Sequence, residues 1–178
     1  MAIILKDFID NPNIVNIELG AGCSNFGQKY FPECFITDSR TPNELKQNCL
    51  AHSVTIYSCD AHNIPCESNR FRKLFICNPF NYGFKDSEEG VILLNELARV
   101  LTDNGEALIL STSSNKYAMP KRIERRVQEF NDQSNLIKFV YSYQEIDCQK
   151  EYFEHKFLYT NGFDQTFPNN RILLTCKK

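Results

Sequence analysis

The sequence predicts an α/β fold, a three-layer sandwich in which a mainly parallel sheet lies between helices. Short β-branched runs alternate with helical patterns along most of the chain, which is typical of parallel strands joined by helical crossovers. The last two or three predicted strands follow one another with little helix between them. We therefore expect antiparallel pairing at the C-terminal edge of the sheet.

The first half of the chain contains the strands that are expected to carry the site. The first ten residues predict a short amphipathic helix, and residues 25–31 predict another short helix. Thr41, Pro42 and Glu44 form a helix-start signature in which Thr41 is the N-cap. Four strands are predicted in this half, at residues 14–18, 34–37, 54–58 and 71–77.

The second half of the chain has the clearest helical periodicity. A helix is predicted over 87–101, because its apolar residues recur at helical spacing until Asp103-Asn104-Gly105 breaks the pattern. A second helix is predicted over 119–130, with Ile123, Val127 and Phe130 on one face. The remaining strands are predicted at residues 107–110, 136–143, 153–160 and 171–176.

Composition indicates one domain over residues 1–178, because this length suits a single core. The net charge of −2 argues against a chain that is basic throughout, so any surface for nucleic acid must be local. The first apolar run is too short for a signal sequence or a membrane span, which predicts a cytoplasmic location and no membrane partner. The eight cysteines are expected to be structural thiols, and no metal site is predicted.

The turn Gly20-Ala21-Gly22 follows the first predicted strand of the sheet. Glycine has no Cβ, so this turn allows a ligand to approach the backbone closely. A dinucleotide site needs a third glycine three residues after the second, and that position is Asn25. The turn therefore predicts a small ligand and disfavours a nicotinamide-dependent oxidoreductase.

Polar residues end four of the predicted strands, and ligands of such sheets bind outside those ends. Asp38 lies 18 residues after Gly20, where a carboxylate can accept hydrogen bonds from both ribose hydroxyls. Asp60 can accept from an exocyclic amine, and Ala61 can offer a backbone N–H to a ring nitrogen. Glu18 can orient the turn or attract a cation, whereas each acid taken singly can also be solvated or cap a helix.

These residues resemble the motifs of the class I S-adenosylmethionine-dependent methyltransferases. The family's first motif is similar to Glu18-Leu19-Gly20-Ala21-Gly22-Cys23-Ser24, with Ser24 in place of the third glycine. The resemblance implies a Rossmann-like fold with seven strands and S-adenosyl-L-methionine as cofactor. It implies cofactor contacts at Glu18, Gly20, Ala21, Gly22, Asn25, Asp38, Ser39, Asp60, Ala61, His62 and Asn78.

The segment Asn78-Pro79-Phe80-Asn81-Tyr82 is similar to the Asn-Pro-Pro-Tyr/Phe motif of methyltransferases that act on planar nitrogens. That resemblance implies that Asn78 and the carbonyl after it accept hydrogen bonds from the target amine, while Phe80 or Tyr82 stacks on its plane. It implies catalytic roles for Asn78, Pro79, Phe80 and Tyr82. The alternative is an ordinary turn that closes the strand and completes the cofactor pocket.

The methyl acceptor is left open by the sequence. Nucleic acid, protein and small molecules are all compatible with it, and a protein partner that completes the substrate site is a further candidate. Two basic groups can meet phosphates or form solvated faces; they are Arg70, Arg72 and Lys73, and Lys116, Lys121, Arg122, Arg125 and Arg126. The alternative function is a non-catalytic cofactor-binding module for regulation or interaction.

Overall fold

The fold is a central sheet with helices on both of its faces. The structure is a computed structural model that describes residues 3–22, 26–31, 33–40, 55–79, 82–147, 157–158 and 165–178. The main sheet has the strand order β1-β4-β3-β2-β5-β6-β10-β7, in which β7 is Lys138–Glu145 and β10 is Asn170–Lys177. Its parallel strands are β1 (Ile3–Ile4), β2 (Asn16–Leu19), β3 (Cys34–Asp38), β4 (Ile56–Ser58), β5 (Phe71–Cys77) and β6 (Leu101–Ser111).

The strand order reverses beside β2, and this reversal positions the candidate site. β2 pairs with β3 on one side and with β5 on the other, so the connections leave β2 and β5 in opposite directions. Such a switch point opens a crevice at the carboxyl ends of the strands. The turn Gly20-Ala21-Gly22 follows β2 at this point.

Antiparallel pairing lies at the other end of the main sheet, as the sequence predicts. Strand β10 (Asn170–Lys177) runs antiparallel to both β6 and β7 (Lys138–Glu145), so β7 forms the edge. Strands β8 (Phe157–Leu158) and β9 (Gln165–Thr166) form a separate antiparallel pair.

Three α-helices lie in the described ranges, and the two longer ones begin at residues suited to helix starts. The three are α1 (Phe26–Tyr30), α2 (Ser87–Val100) and α3 (Pro120–Gln133). Asp86 caps α2, because its side chain accepts a hydrogen bond from the Glu89 amide at 2.9 Å. Pro120 opens α3, where its missing N–H leaves no intrahelical bond unmade.

Successive residues along the central strands pack their side chains into two separate apolar clusters. Leu74, Ile76 and Ile109 face the larger cluster, which includes the inner faces of α2 and α3. Phe75, Leu108 and Leu110 face a smaller one with Phe26 of α1. Because neighbouring strand residues point to opposite faces, these clusters define three layers and confirm the predicted fold class.

The amino terminus corrects one prediction. The expected helix over the first ten residues is wrong, because Ile3–Ile4 pair in parallel with β4 and only Leu5–Asp7 form a short 3-10 helix. Leu5 and Ile9 nevertheless bury their side chains in the larger cluster. Docking against an existing sheet edge therefore overrides the helical spacing of this segment.

The strand after α2 is longer than expected. The predicted break at Asp103-Asn104-Gly105 lies inside β6, which begins directly after Val100. A register shift between Phe71 and Lys73, together with the left-handed φ of 59° at Asn104, accommodates these residues. The helix predicted from Thr41 lies outside the described residues, as does most of the strand predicted at 153–160.

None of the helices in the described ranges is long and apolar enough to cross a membrane.

Candidate functional site

The fold brings the predicted strand-end residues to one edge of the sheet. Glu18 lies within β2, Asp38 is the last residue of β3, and Asn78 directly follows β5. Asp60 lies two residues beyond β4. Because these four strands are parallel, their carboxyl ends lie along the same edge of the sheet, where the sequence predicts a crevice.

Glu18 ties β2 to the helix that follows the glycine turn. Its carboxylate is fully buried, and Oε2 accepts a hydrogen bond from the Gly27 amide at 2.7 Å. Gly27 lies in the first turn of α1, whose N–H groups have no partner inside the helix. A Cβ at Gly27 would lie 2.6 Å from Cys34 Sγ, so glycine is needed for this close packing. The contact fits the orienting role considered for Glu18.

Asp38 links β3 to the same turn. The carboxylate is buried, and Oδ2 accepts from the Gly22 amide at 2.7 Å. The guanidinium of Arg40 also binds it, with Nε 3.0 Å from Oδ1 and Nη2 3.2 Å from Oδ2. The Arg40 side chain is 53% exposed. Both oxygens that were expected to meet ribose hydroxyls therefore have protein donors.

The two glycines do allow other atoms to lie very close to the backbone, but in this structure those atoms belong to side chains of the protein itself. Gly20 and Gly22 have φ of 59° and 57°, in the left-handed region that favours glycine. A Cβ at Gly20 would lie 2.5 Å from Tyr82 Oη, which donates a hydrogen bond to the Leu19 carbonyl at 2.8 Å. Burial raises the pKa of Tyr82 well above its usual value, so the phenol stays a neutral donor.

The segment after β4 forms a tight turn around Asp60. Its carboxylate is largely exposed and accepts from the His62 amide at 2.9 Å. His62 Nδ1 lies 3.2 Å from the same oxygen, which favours the tautomer that donates from Nδ1. In the neutral ring with this tautomer His62 Nε2 is an acceptor, and it is buried without a hydrogen-bond partner among the described residues. Ala61 is buried beside it, and Ser39 is exposed after β3.

Two residues of α2 fix this segment, and sequence reasoning missed both. Glu96 Oε1 accepts from the Ile64 amide at 2.6 Å. Arg99 donates to the carbonyls of Ile64 and Cys66 at 2.7 and 2.6 Å and pairs with Glu96 at 2.7 Å. The sequence signal for this pair was the spacing of an acid and an arginine three residues apart on a predicted helix.

Asn78 occupies a strained and buried position after β5. Its φ is 49°, and its amide donates to the Leu110 carbonyl at 2.7 Å. Its side-chain Oδ1 accepts from Asn115 Nδ2 at 2.8 Å, and the same nitrogen donates to the Pro79 carbonyl at 2.9 Å. Asn115 thus binds both oxygens that the motif resemblance assigned to a target amine. Phe80 and Asn25 lie outside the described residues.

Asn115 is itself held by its loop and was not predicted from the sequence. It is 1% exposed, and its Oδ1 accepts from the amides of Tyr117 and Ala118 at 3.0 and 3.3 Å. The loop is fixed further by Ser111 Oγ, which donates to the Ala118 carbonyl at 3.0 Å. The only sequence signal was a polar run directly after the fifth predicted strand.

Most of the predicted basic residues have internal partners. Arg122 donates to the carbonyls of Phe84 and Lys85, and Arg125 and Arg126 both bind Glu129. Arg70 donates to carbonyls of the amino-terminal segment, and Lys73 pairs with Glu106 at 2.8 Å. These contacts favour structural roles for the five residues over phosphate binding.

Comparison with solved structures identifies the fold. An antibiotic-related methyltransferase matches with a TM-score of 0.60 at 14% identity, over 98% of this chain and 95% of its own. A 16S rRNA adenine-N1 methyltransferase from Catenulisporales acidiphilia, solved with the cosubstrate SAM, gives 0.53 at 8% identity, over 96% and 89%. The cyclase SpnF gives 0.50 at 12% identity, over 98% and 80%.

The chain therefore has the Rossmann-like fold of the class I methyltransferases, as its motif order predicts. Sequence comparison finds no matching family model and no matching curated protein. A fold shared by methyltransferases and a cyclase does not define the reaction, which must be argued from the site.

Proposed function

We propose that this protein transfers a methyl group from S-adenosylmethionine to a planar nitrogen, in a nucleobase or another amide or amine acceptor. The observation that carries the proposal is the left-handed Gly20-Ala21-Gly22 turn, which Asp38 ties to β3 at the switch point of the sheet. The resemblance of this turn and of the strand-end residues to the methyltransferase motifs supports it. So do structural neighbours named as rRNA methyltransferases.

The donor and acceptor set of the crevice fits this cofactor. Asp38 is proposed to accept from the ribose hydroxyls, with the Arg40 side chain, which is 53% exposed, turning outward. Ala61 and the unpartnered Nε2 of His62 offer a donor and an acceptor for the adenine edge. The remaining proposed cofactor contacts are Glu18, Gly20, Ala21, Gly22, Asn25, Ser39, Asp60 and Asn78.

Methyl transfer requires the protein mainly to align the acceptor atom with the methyl group. S-adenosylmethionine, when bound, supplies the methyl group from its positively charged sulfonium. The residues of the crevice would hold the acceptor nitrogen in line with that carbon and exclude water, which accounts for most of the rate of a positioned displacement. In such a transfer the leaving group would be the neutral thioether of the demethylated cofactor, and the proton of the methylated nitrogen would pass to solvent. Asn78, Pro79, Phe80 and Tyr82 are the proposed acceptor-side residues.

Calorimetric titration with S-adenosylmethionine tests the cofactor. Asp38→Ala should weaken binding about 10- to 100-fold, because charge-assisted hydrogen bonds to the ribose contribute about 1.5–3 kcal/mol. Asp10→Ala removes an exposed carboxylate and serves as the matched control. No binding by the folded wild-type protein would refute the proposal, and wild-type affinity in Asp38→Ala would refute the ribose contact.

Transfer of a labelled methyl group tests the reaction. Total RNA, DNA, protein and small-molecule pools are incubated with the protein and labelled cofactor, and products are read by mass spectrometry. Labelled nucleobases would support the proposed acceptor class. Label found only in protein or small molecules would show that the acceptor is not a nucleobase.

A non-catalytic cofactor-binding module is the second candidate, and one observation favours it. Asn115 already binds Asn78 Oδ1 and the Pro79 carbonyl, the two oxygens expected to receive an amine. Cofactor binding without transfer to any pool would support this candidate. Methyl transfer by the wild-type protein that is lost in Asn78→Ala would exclude the non-catalytic module.

A further inference from the structure

The orientation of the Asn115 carboxamide is fixed by backbone groups on both sides. Its oxygen faces the N–H groups of Tyr117 and Ala118, and its nitrogen faces the Pro79 carbonyl. Rotating the amide by 180° would bring N–H against N–H and oxygen against oxygen. The backbone therefore allows only the observed orientation.

Asn115 in turn fixes the orientation of Asn78. Because Asn115 presents an N–H, Asn78 must turn its oxygen toward it, at 2.8 Å. The Asn78 amino group then points away from Asn115. Asn78 is 6% exposed, and its Nδ2 is buried without a hydrogen-bond partner among the described residues. A buried donor left unpaired is destabilising, so a native structure that keeps one needs a reason.

We infer that Asn78 is a hydrogen-bond donor to a bound ligand and that Asn115 is the positioning residue that sets this polarity. The inference rests on the proposed function and deepens it. The group at Asn78 must carry a lone pair that accepts a hydrogen bond, as a carboxylate oxygen, a carbonyl oxygen and a ring nitrogen do. An exocyclic amine has no place between Asn78 and Pro79 while Asn115 binds both oxygens.

Two sources can supply such an atom. One is the carboxylate of S-adenosylmethionine, and the other is a carbonyl or ring nitrogen next to the methylated atom of the acceptor. A nucleobase provides these acceptor atoms beside a planar nitrogen, whereas an isolated alkyl amine does not. The inferred polarity thus narrows the acceptors within the proposed class.

Asn78→Asp tests the donor with little change in shape. The aspartate keeps an oxygen for Asn115 Nδ2 and loses the N–H that would meet the ligand. Asn95→Asp makes the same chemical change at an exposed position on α2 and is the matched control. We expect Asn78→Asp to lose about tenfold or more relative to this control, which corresponds to about 1.4 kcal/mol.

The two readouts separate the two sources. A loss of affinity for S-adenosylmethionine in calorimetry assigns the contact to the cofactor. Unchanged cofactor affinity with a lower kcat/KM for labelled transfer into total RNA assigns it to the acceptor. If Asn78→Asp matches Asn95→Asp in both measurements, the inference is wrong although the proposed function stands. If wild-type protein binds no S-adenosylmethionine, the proposed function fails and the inference falls with it.

Wild-type protein provides a test that needs no stable variant. The side-chain ¹⁵N–¹H₂ signals of Asn78, assigned by triple-resonance NMR, should move downfield when S-adenosylmethionine, or this cofactor with total RNA, is added. In Asn115→Asp, Asn78 should turn its amino group to the new carboxylate, and the ligand-dependent shift should disappear. Asn78 signals that respond to neither addition would overturn the inference, and an unchanged response in Asn115→Asp would remove the positioning role.

Discussion

The side chain of Tyr82 packs against Gly20, so the residue at position 20 affects the packing of the candidate site even without a ligand. The phenol of Tyr82 lies 2.5 Å from the place a Cβ of residue 20 would take, and it donates to the carbonyl of Leu19. Gly22 has the same left-handed backbone, but a Cβ there would meet only the far end of the Arg40 side chain, at 3.1 Å. The two glycines are therefore constrained differently.

Gly20→Ala should destabilise the protein by about 2–4 kcal/mol, from backbone strain of about 1–2 kcal/mol and overpacking against Tyr82. Gly22→Ala is the control, and it should show the strain without the overpacking. In a Tyr82→Ala background the cost of Gly20→Ala should fall to about 1–2 kcal/mol, because the clash is gone. Urea denaturation measures all four variants, and an equal cost in both backgrounds would contradict this account.

At the residue scale, sequence reasoning found strand-end groups and missed their partners. Glu18, Asp38 and Asn78 were predictable because each follows a mainly apolar run, which is a local pattern. Asn115 was not, because its contacts with Asn78 and Pro79 join loops 36–37 residues apart. Such pairings depend on strand order and leave no periodic signal in the chain.

One contact between α2 and α3 is the hydrogen bond from Ser87 to Glu129, whose carboxylate also pairs with two arginines of α3. The Glu129 carboxylate accepts from Ser87 at 2.6 Å and from Arg126 at 2.6 Å, and Arg125 lies 3.0 Å away. The hydrogen bond from Ser87, followed by the interaction with Arg126, lowers the pKa of Glu129 to about 2.

This pKa makes the helix pair sensitive to acid. A carboxyl with a lowered folded-state pKa adds stability above its unfolded pKa of about 4.5, and that stability is lost as the pH falls toward 2. Glu129→Gln should therefore be less stable than wild type at pH 7, with the difference shrinking between pH 4.5 and 2. Urea denaturation across this range checks it, with Glu124→Gln on the exposed side of α3 as control. A difference that does not change with pH would contradict the assignment.

Arg99 joins α2 to the segment that follows β4. Its guanidinium binds two carbonyls at once, a geometry that lysine cannot reproduce. Arg99→Lys should lower the free energy of unfolding by about 1–3 kcal/mol and speed hydrogen exchange across residues 60–66. Arg125→Lys, in an exposed ion pair, should leave that exchange unchanged. If Arg99→Lys leaves the hydrogen-exchange protection of residues 60–66 equal to that of wild type, the role of Arg99 in holding this segment is refuted.

Elements with strong periodicity were predicted closely. The strand at 71–77 matches β5, and the helix predicted at 87–101 differs from α2 by one residue. The amino terminus failed because its two isoleucines pair with β4, a tertiary contact that local spacing cannot reveal. The extent of β6 was missed because a bulge allows a strand to run through Asp103-Asn104-Gly105, a sequence typical of turns.

Over the whole molecule, the described cysteines are reduced and serve as apolar packing, in line with the expectation of structural thiols. They are Cys34, Cys59, Cys66, Cys77 and Cys176. Burial raises the pKa of each, and for Cys59 the pKa reaches about 12. At pH 8 this lowers the thiolate fraction of Cys59 by about three orders of magnitude.

Alkylation should therefore report global unfolding. With iodoacetamide at pH 8, these five thiols should stay unlabelled in the native protein and react together in urea. Peptide mass spectrometry assigns the label to each cysteine, and a short cysteine peptide provides the reference rate. Native labelling of Cys59 at the peptide's rate would contradict its burial.

The place of β10 in the sheet has a consequence for how the protein is made. β10 follows both of its neighbours in the chain yet lies between them. Until residues 170–177 leave the ribosome, β6 keeps an open hydrogen-bonding edge and β7 has no place in the sheet, a state prone to intermolecular pairing. Asn78 is anchored to the Leu110 carbonyl at the end of β6, so the crevice gains its final support only after this late strand is translated.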